Sequence, residues 1–323
     1  MTAPVPASGP PEGYREEVVG TVPGMGESYR RAVAGAARAR LRRGRPGLPE
    51  IALRHGPVRA EAQRLADYQH LIGAPGTDEL PAGFVHVLGF PLSMALLTRD
   101  DFPLPLLGLV HVANRVTQAR ALHLDEELTF TAWADGLRPH RRGTTVDIHL
   151  TASVGDDVAW AGVSTYLSKG VDAAGGGGAA EGVAAEGEAA AGPDVRERAE
   201  SAAEPGPGRH VWSLPADTGR RYAEVSGDRN PIHTSLLGAK AFGFPRPIAH
   251  GMYTAARALA EVPVPRGGAL DWAVEFGKPV VLPTRVVLEF GDVPGGTAWR
   301  VVSARSGKVH LTGHVLDPAA NSS

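Results

Sequence analysis

Residues 172–208, DAAGGGGAAEGVAAEGEAAAGPDVRERAESAAEPGPG, constrain the architecture more than any other stretch. The run is poor in aromatic and β-branched residues and has too little apolar surface to build a core. It therefore reads as a linker between two segments of similar length, and the chain is expected to be a duplicated structure. The expected units are an N-terminal extension (1–48), a first unit (49–171), the linker (172–208), a second unit (209–318) and a short tail (319–323).

The rest of the chain can support two cores, since 323 residues with 43% apolar content bury enough surface for that. Cysteine is absent, which excludes disulfides, thiolate nucleophiles and zinc–thiolate sites together. A formal charge of −2 gives no overall attraction to nucleic acid or an anionic membrane. The basic stretch from Arg30 to Arg45 reads as a solvated helix face. The start, MTAPVPASGPPEGYREE, has none of the basic-then-apolar order of a signal peptide, and no segment approaches transmembrane length, so a soluble cytoplasmic protein is expected.

Internal comparison supports duplication. YQHLIG (Tyr68 to Gly73) and YAEVSG (Tyr222 to Gly227) place Tyr and Gly at the same spacing, and each follows an Arg-His pair, Arg54-His55 or Arg209-His210. GFPLSMALL from Gly89 then resembles AHGMYTAARAL from Ala249 as a small and apolar helix after a proline. Four extended runs follow in each half, among them TTVDIHLTASVG and TRVVLEFGDV, separated by turn residues. Each half thus reads as a strand, a turn-rich segment, one central helix and about four antiparallel strands. That is an α+β arrangement, with the sparsely charged HGMYTAARALAEV as an enclosed helix.

The chemistry concentrates in GDRNPIH, where Asp228 and His233 lie five residues apart around Asn230-Pro231. Pro231 biases Asn230 to extended backbone, so the two side chains are not splayed as on a regular helix and can meet in one cleft. A carboxylate and an imidazole are suited to proton transfer near neutral pH. An Asx turn capping the next helix accounts for the heptapeptide equally well. Shortly after, FGFPRPIAHGM sets His250-Gly251 at a helix start, whose first N–H groups lack internal partners and can hold an oxyanion. A steric need for glycine against the sheet explains Gly251 as well. Taken together, an acid, an imidazole and an oxyanion site suit proton transfer beside a carbonyl.

YAEVSGDRNPIH followed by GFPRPIAHGM resembles the MaoC-like family of (R)-specific enoyl-CoA hydratases and (3R)-hydroxyacyl dehydratases, and WAVEFGKPVVLPTRV resembles the strand that follows in that family. The resemblance spans the second half. It implies a double hot-dog fold, in which an antiparallel curved sheet wraps a central helix in each unit, with a degenerate first unit. It further implies Asp228 and His233 as the catalytic pair and the Gly251 amide as the ligand of a thioester carbonyl. Asn230, His250 and Ser226 stand beside them as oxyanion, substrate-binding or turn-shaping candidates. The implied substrate is an acyl-CoA or acyl-carrier-protein thioester, in synthesis or degradation of fatty acids or in related pathways. No cofactor is implied, and the two units would form a pseudo-dimer with or without a further homodimer.

Aligning Tyr68 on Tyr222 sets Ala74 opposite Asp228, Glu79 opposite His233 and Pro91-Leu92-Ser93-Met94 opposite AHGM, so the first unit is expected to lack a reaction centre. No metal site is expected from His111, His123, His140, His149, His310 or His314, because their spacing with carboxylates is not that of ligands. Gly175 to Gly178 lack the strand and helix of a dinucleotide loop, and Ser226 lacks a nucleophile-elbow pattern. Trp272 and Trp299 read as core or sheet-face aromatics and not as a stacking platform. The rivals to a hydratase are a hot-dog thioesterase, separated by free-thiol release, and a non-catalytic acyl-thioester-binding protein, separated by absence of turnover.

Overall fold

The alternating apolar runs form strands because their period of two puts one face of each against a core. A computed structural model of the protein describes residues 9–24, 26–29, 47–170, 208–265 and 267–321; the basic stretch 30–45 and linker residues 172–207 lie outside them. The first half comprises β2 (Ile51–Arg59), α1 (Ala62–Ile72), α2 (Ala82–Leu97), β3 (Leu109–Gln118), β4 (Glu127–His140), β5 (Gly143–Val154) and β6 (Asp157–Lys169). The second comprises β7 (Gly208–Leu214), α3 (Thr218–Ser226), α4 (Pro231–Thr234), α5 (Leu236–Ala241), α6 (Gly251–Glu261), β8 (Leu270–Phe276), β9 (Thr284–Val293), β10 (Gly296–Ser303) and β11 (Val309–Leu316). Within the extension, β1 (Arg15–Val18) pairs in parallel with β2.

Among the described residues the strands join one sheet in the order β1-β2-β4-β5-β6-β3-β8-β11-β10-β9-β7. Outward from the centre, β3-β6-β5-β4-β2 on one side answers β8-β11-β10-β9-β7 on the other, so the halves form a pseudo-dimer. The seam is the antiparallel β3–β8 pair, from Ala113 opposite Glu275 to Gln118 opposite Leu270. Across it the Thr117 hydroxyl donates to Asp271 Oδ1 at 2.7 Å, and Gln118 Nε2 donates to the Gly268 carbonyl at 2.8 Å.

Each half-sheet packs on its own long helix. α2 carries no Asp, Glu, Lys or Arg and is buried along most of its length, as a helix in the middle of a core must be. α6 buries Met252, Tyr253, Ala255, Ala256 and Ala258. Its two charged residues pair at the C-terminal end, where Arg257 meets Glu261 at 3.1 Å and Glu261 also accepts from Trp212 Nε1 at 2.8 Å. Trp272 and Trp299 are fully buried core residues.

The repeated Tyr and Gly have a structural cause. Gly73 and Gly227 end α1 and α3 in the left-handed region, at φ 76° and 78°, where glycine is favoured. Tyr68 and Tyr222 are buried one turn before, with their ring centroids 6.3 Å apart across the pseudo-twofold. The segments expected to be turn-rich are therefore helical at this point.

Two expected correspondences do not hold. Pro91 lies inside α2, which starts at Ala82 after the N-cap Pro81, so residues 91–94 are not opposite AHGM; Pro81 is opposite His250, the N-cap of α6. Gly73 reaches that cap in 8 residues, whereas Gly227 takes 23 and builds α4 and α5 on the way. Glu79 forms an isolated bridge to His123 two residues before Pro81, just as Ile248 bridges Val281 two residues before His250. Glu79 therefore matches Ile248 and not His233. The first half lacks the whole His-bearing insertion, which an ungapped alignment cannot show.

Candidate active site

The turn after α3 builds the site from local hydrogen bonds. The Asp228 N–H donates to Ser226 Oγ at 3.1 Å, and the Asn230 N–H donates to Asp228 Oδ1 at 3.2 Å. Asn230 has extended backbone, φ −52° and ψ 125°, and its Oδ1 caps α4 by accepting from the Ile232 N–H at 3.2 Å. Pro231 occupies the first position of that short helix, where its missing N–H costs nothing. The expected Asx turn is thus present. The turn forms, and by forming it holds Asp228 and His233 in one place.

His233 is anchored by its Nδ1–H, which donates to the Ile248 carbonyl at 2.8 Å, so a neutral ring presents Nε2 as an acceptor. His250 stacks on it with ring centroids 3.7 Å apart, and its Nε2–H donates to the Asp228 backbone carbonyl at 3.0 Å. The Asp228 Oδ2 lies 3.7 Å from the same nitrogen. Burial pushes the Asp228 carboxyl up, but His250, His233, the Tyr29 hydroxyl and the Asn230 N–H together hold it below its ordinary value. Burial lowers His233 against the opposing pull of Asp228. Burial also lowers His250, with His233 adding to it, to about 3. The arrangement is an ionised carboxylate beside two neutral imidazoles.

A ring nitrogen from each histidine and a carboxylate oxygen of Asp228 lie within 4.8 Å of one another, a spacing that also suits a metal ion. Sequence spacing did not suggest this grouping, because His250 comes from another element. One nitrogen of each ring is committed to a backbone carbonyl, which leaves one lone pair on each neutral ring.

Gly251 opens α6 next to this group. A Cβ there would lie 2.8 Å from the Phe276 ring, so the expected steric need for glycine is present. The first N–H groups of α6 are at the positive end of the helix, beside His250 and Asp228. Ser226 is buried and serves the turn as an acceptor.

The two halves meet around Asp228. Tyr29, from the extension, donates its hydroxyl to Asp228 Oδ1 at 2.8 Å. From the first half come His86 on α2, His111 on β3 and Tyr166 on β6, the first and last buried and His111 partly so, all within electrostatic reach of Asp228. A bulge in β3 beside His111 accompanies its stacking on Tyr166, at 4.7 Å, and its contact with Phe276, at 4.9 Å. Sequence reasoning passed over Tyr29, His86 and Tyr166 and weighed His111 only as a metal ligand. No local signal marks them, since none shares a turn or element with Asp228.

Two sheet-and-helix units joined edge to edge, with an Asp–His pair at the start of one central helix, define a double hot-dog protein. A family model described as "MaoC like domain" matches residues 198–311. The 3-hydroxyacyl-thioester dehydratase X of Mycobacterium tuberculosis is 35% identical over 251 residues, covering 78% of this chain and 84% of that protein. The crystal structure of HtdX from the same organism superposes with a TM-score of 0.66 at 32% identity, over 82% of this chain and 98% of that one. A MaoC-like dehydratase from Phytophthora capsici shares the fold, with a TM-score of 0.58 at 17% identity over 81% of this chain and 94% of that one. This chain belongs to the MaoC-like dehydratase family, and it is a hydro-lyase.

Proposed function

We propose that the protein interconverts trans-2-enoyl and (3R)-3-hydroxyacyl thioesters, carried on coenzyme A or an acyl-carrier protein, at one reaction centre in its second half. The supporting observation is the pairing of an ionised Asp228 with a neutral His233 beside the N-terminus of α6. Two acceptors this close can share one water, each taking a hydrogen bond of about 2.8 Å. As the water oxygen adds to C3, one of its protons passes to the pair and is returned to C2. Addition from one water is syn by geometry. Dehydration is the reverse: the pair takes the C2 proton and returns it to the departing hydroxyl. Charge that develops on the thioester oxygen is met by the Gly251 N–H. Asn230 and Ser226 hold the turn, and His250 fixes the Asp228 backbone and one face of His233.

The test is hydration of trans-2-enoyl thioesters, followed by loss of enoyl absorbance with chiral analysis of the product, on both coenzyme A and carrier protein. Asp228→Asn and His233→Ala are each expected to lower kcat by about 10²–10⁴-fold while the melting curve remains cooperative. Near-normal hydration by either variant would refute the assignment. Release of free thiol in place of enoyl turnover would point to a thioesterase.

A further inference from the structure

The Tyr29 hydroxyl reaches Asp228 from 199 positions away, and nothing in the proposed chemistry accounts for it. We infer that Tyr29 is a positioning residue of the reaction centre: its hydroxyl turns the Asp228 carboxylate so that Oδ1 is occupied and Oδ2 is left to face the water. The inference rests on the hydratase reading above.

Several connections deliver Tyr29 to this place. β1 is bonded to β2, the Val19 N–H donates to the Arg54 carbonyl at 2.7 Å, and His55 Nδ1–H donates to the Val19 carbonyl at 2.7 Å. Glu17 pairs with Arg99 at 3.3 Å, and the Tyr14 hydroxyl donates to the Ala134 carbonyl at 2.9 Å. The extension is thus tied along the first half, and its described helical turn, residues 26–29, brings Tyr29 to the reaction centre of the second. Oδ1 already accepts the Asn230 N–H, so Tyr29 completes its coordination. Burial and the neighbouring carboxylate push the Tyr29 phenol far above its ordinary range, so it stays protonated and keeps a proton to donate.

The groups facing Asp228 from the elements around it are His233, His250 and Tyr222 from the second half and His86, His111 and Tyr166 from the first. The four imidazoles have lowered pKa values and the phenols raised ones, so near neutral pH all six are uncharged. Tyr29 therefore adds a donor to a charged group surrounded by neutral ones. A hydrogen bond to a charged partner is about twice as strong as a neutral one, so its loss is felt.

Tyr29→Phe keeps the ring and removes only the donor. It is expected to lower kcat about tenfold with KM within about twofold, and to move the acid limb of the kcat profile upward by up to about one pH unit. Tyr29→Ala, which also removes the ring, is expected to be at least as impaired. Wild-type kinetics and acid limb in Tyr29→Phe, with only Tyr29→Ala impaired, would show that the ring merely fills space. A variant faster than wild type would show that the segment obstructs the site, and would overturn the inference as well. An inactive wild-type enzyme would overturn the functional reading, whereas normal Tyr29→Phe kinetics in an active enzyme overturns this inference alone.

Discussion

His233 shows how burial and one hydrogen bond select a protonation state. Desolvation disfavours its cation, and the Nδ1–H held by Ile248 leaves Nε2 as the open lone pair. A base in this state works wherever it is unprotonated. Hydration should therefore be independent of pH through neutrality and fall only on the acid side, with an apparent pKa for the Asp228–His233 pair below the ordinary 6.5 of histidine. A pH–rate profile that is already falling at pH 7.5 would contradict this. Asp228, Asn230, His233, His250 and Gly251 were legible in the sequence because they share two short motifs whose turn and cap chemistry is local. Tyr29, His86, His111 and Tyr166 were not, because each reaches Asp228 through tertiary packing alone.

At the scale of elements, the site depends on how α3 seats α4. Gly219 on α3 lies against the backbone of His233, and a Cβ there would run into the His233 carbonyl. That oxygen belongs to the main chain and cannot rotate aside, so α4 must shift. Gly219→Ala is expected to cost about 1–3 kcal/mol in stability and to lower kcat at least about tenfold, measured by thermal denaturation and hydration kinetics on one preparation. An unchanged kcat would mean that the placement of α4 relative to α3 does not set the reaction geometry. Most elements could be read from pattern, including all eight strands that follow the central helices. α1 and α3 were missed as helices because their Gly-terminated ends looked like turns, and the start of α2 was misplaced because Pro91 resembled a helix boundary while Pro81 was the cap.

Over the whole molecule, neutral imidazoles are buried in both halves. His86 is lowered to about 4, His111 to about 3 and His250 to about 3, each chiefly by burial. Between these values and the ordinary 6.5 the unfolded chain binds more protons than the folded one, so stability rises with pH across this window. Their contribution is fully present above about pH 6.5 and is lost as the pH falls toward 4. When all three differ by a proton the slope approaches about 4 kcal/mol per pH unit. Chemical denaturation at pH 7, 6 and 5 is expected to show a progressive loss, with lowest stability at pH 5. Equal stability at pH 7 and 5 would mean that these rings find protons or water in the folded state.

The sequence by itself determined that there are two sheet-and-helix units and that only the second has the Asp–His turn and the helix start beside it. These are properties of periodicity and of neighbours along the chain, where a few dihedral angles decide which side chains meet. Only the tertiary structure decided that β3 and β8 join the units, that the first unit omits the insertion forming α4 and α5, and that Tyr29 closes on Asp228. A contact spanning 199 positions is set by strand order and packing, which no spacing in the sequence encodes.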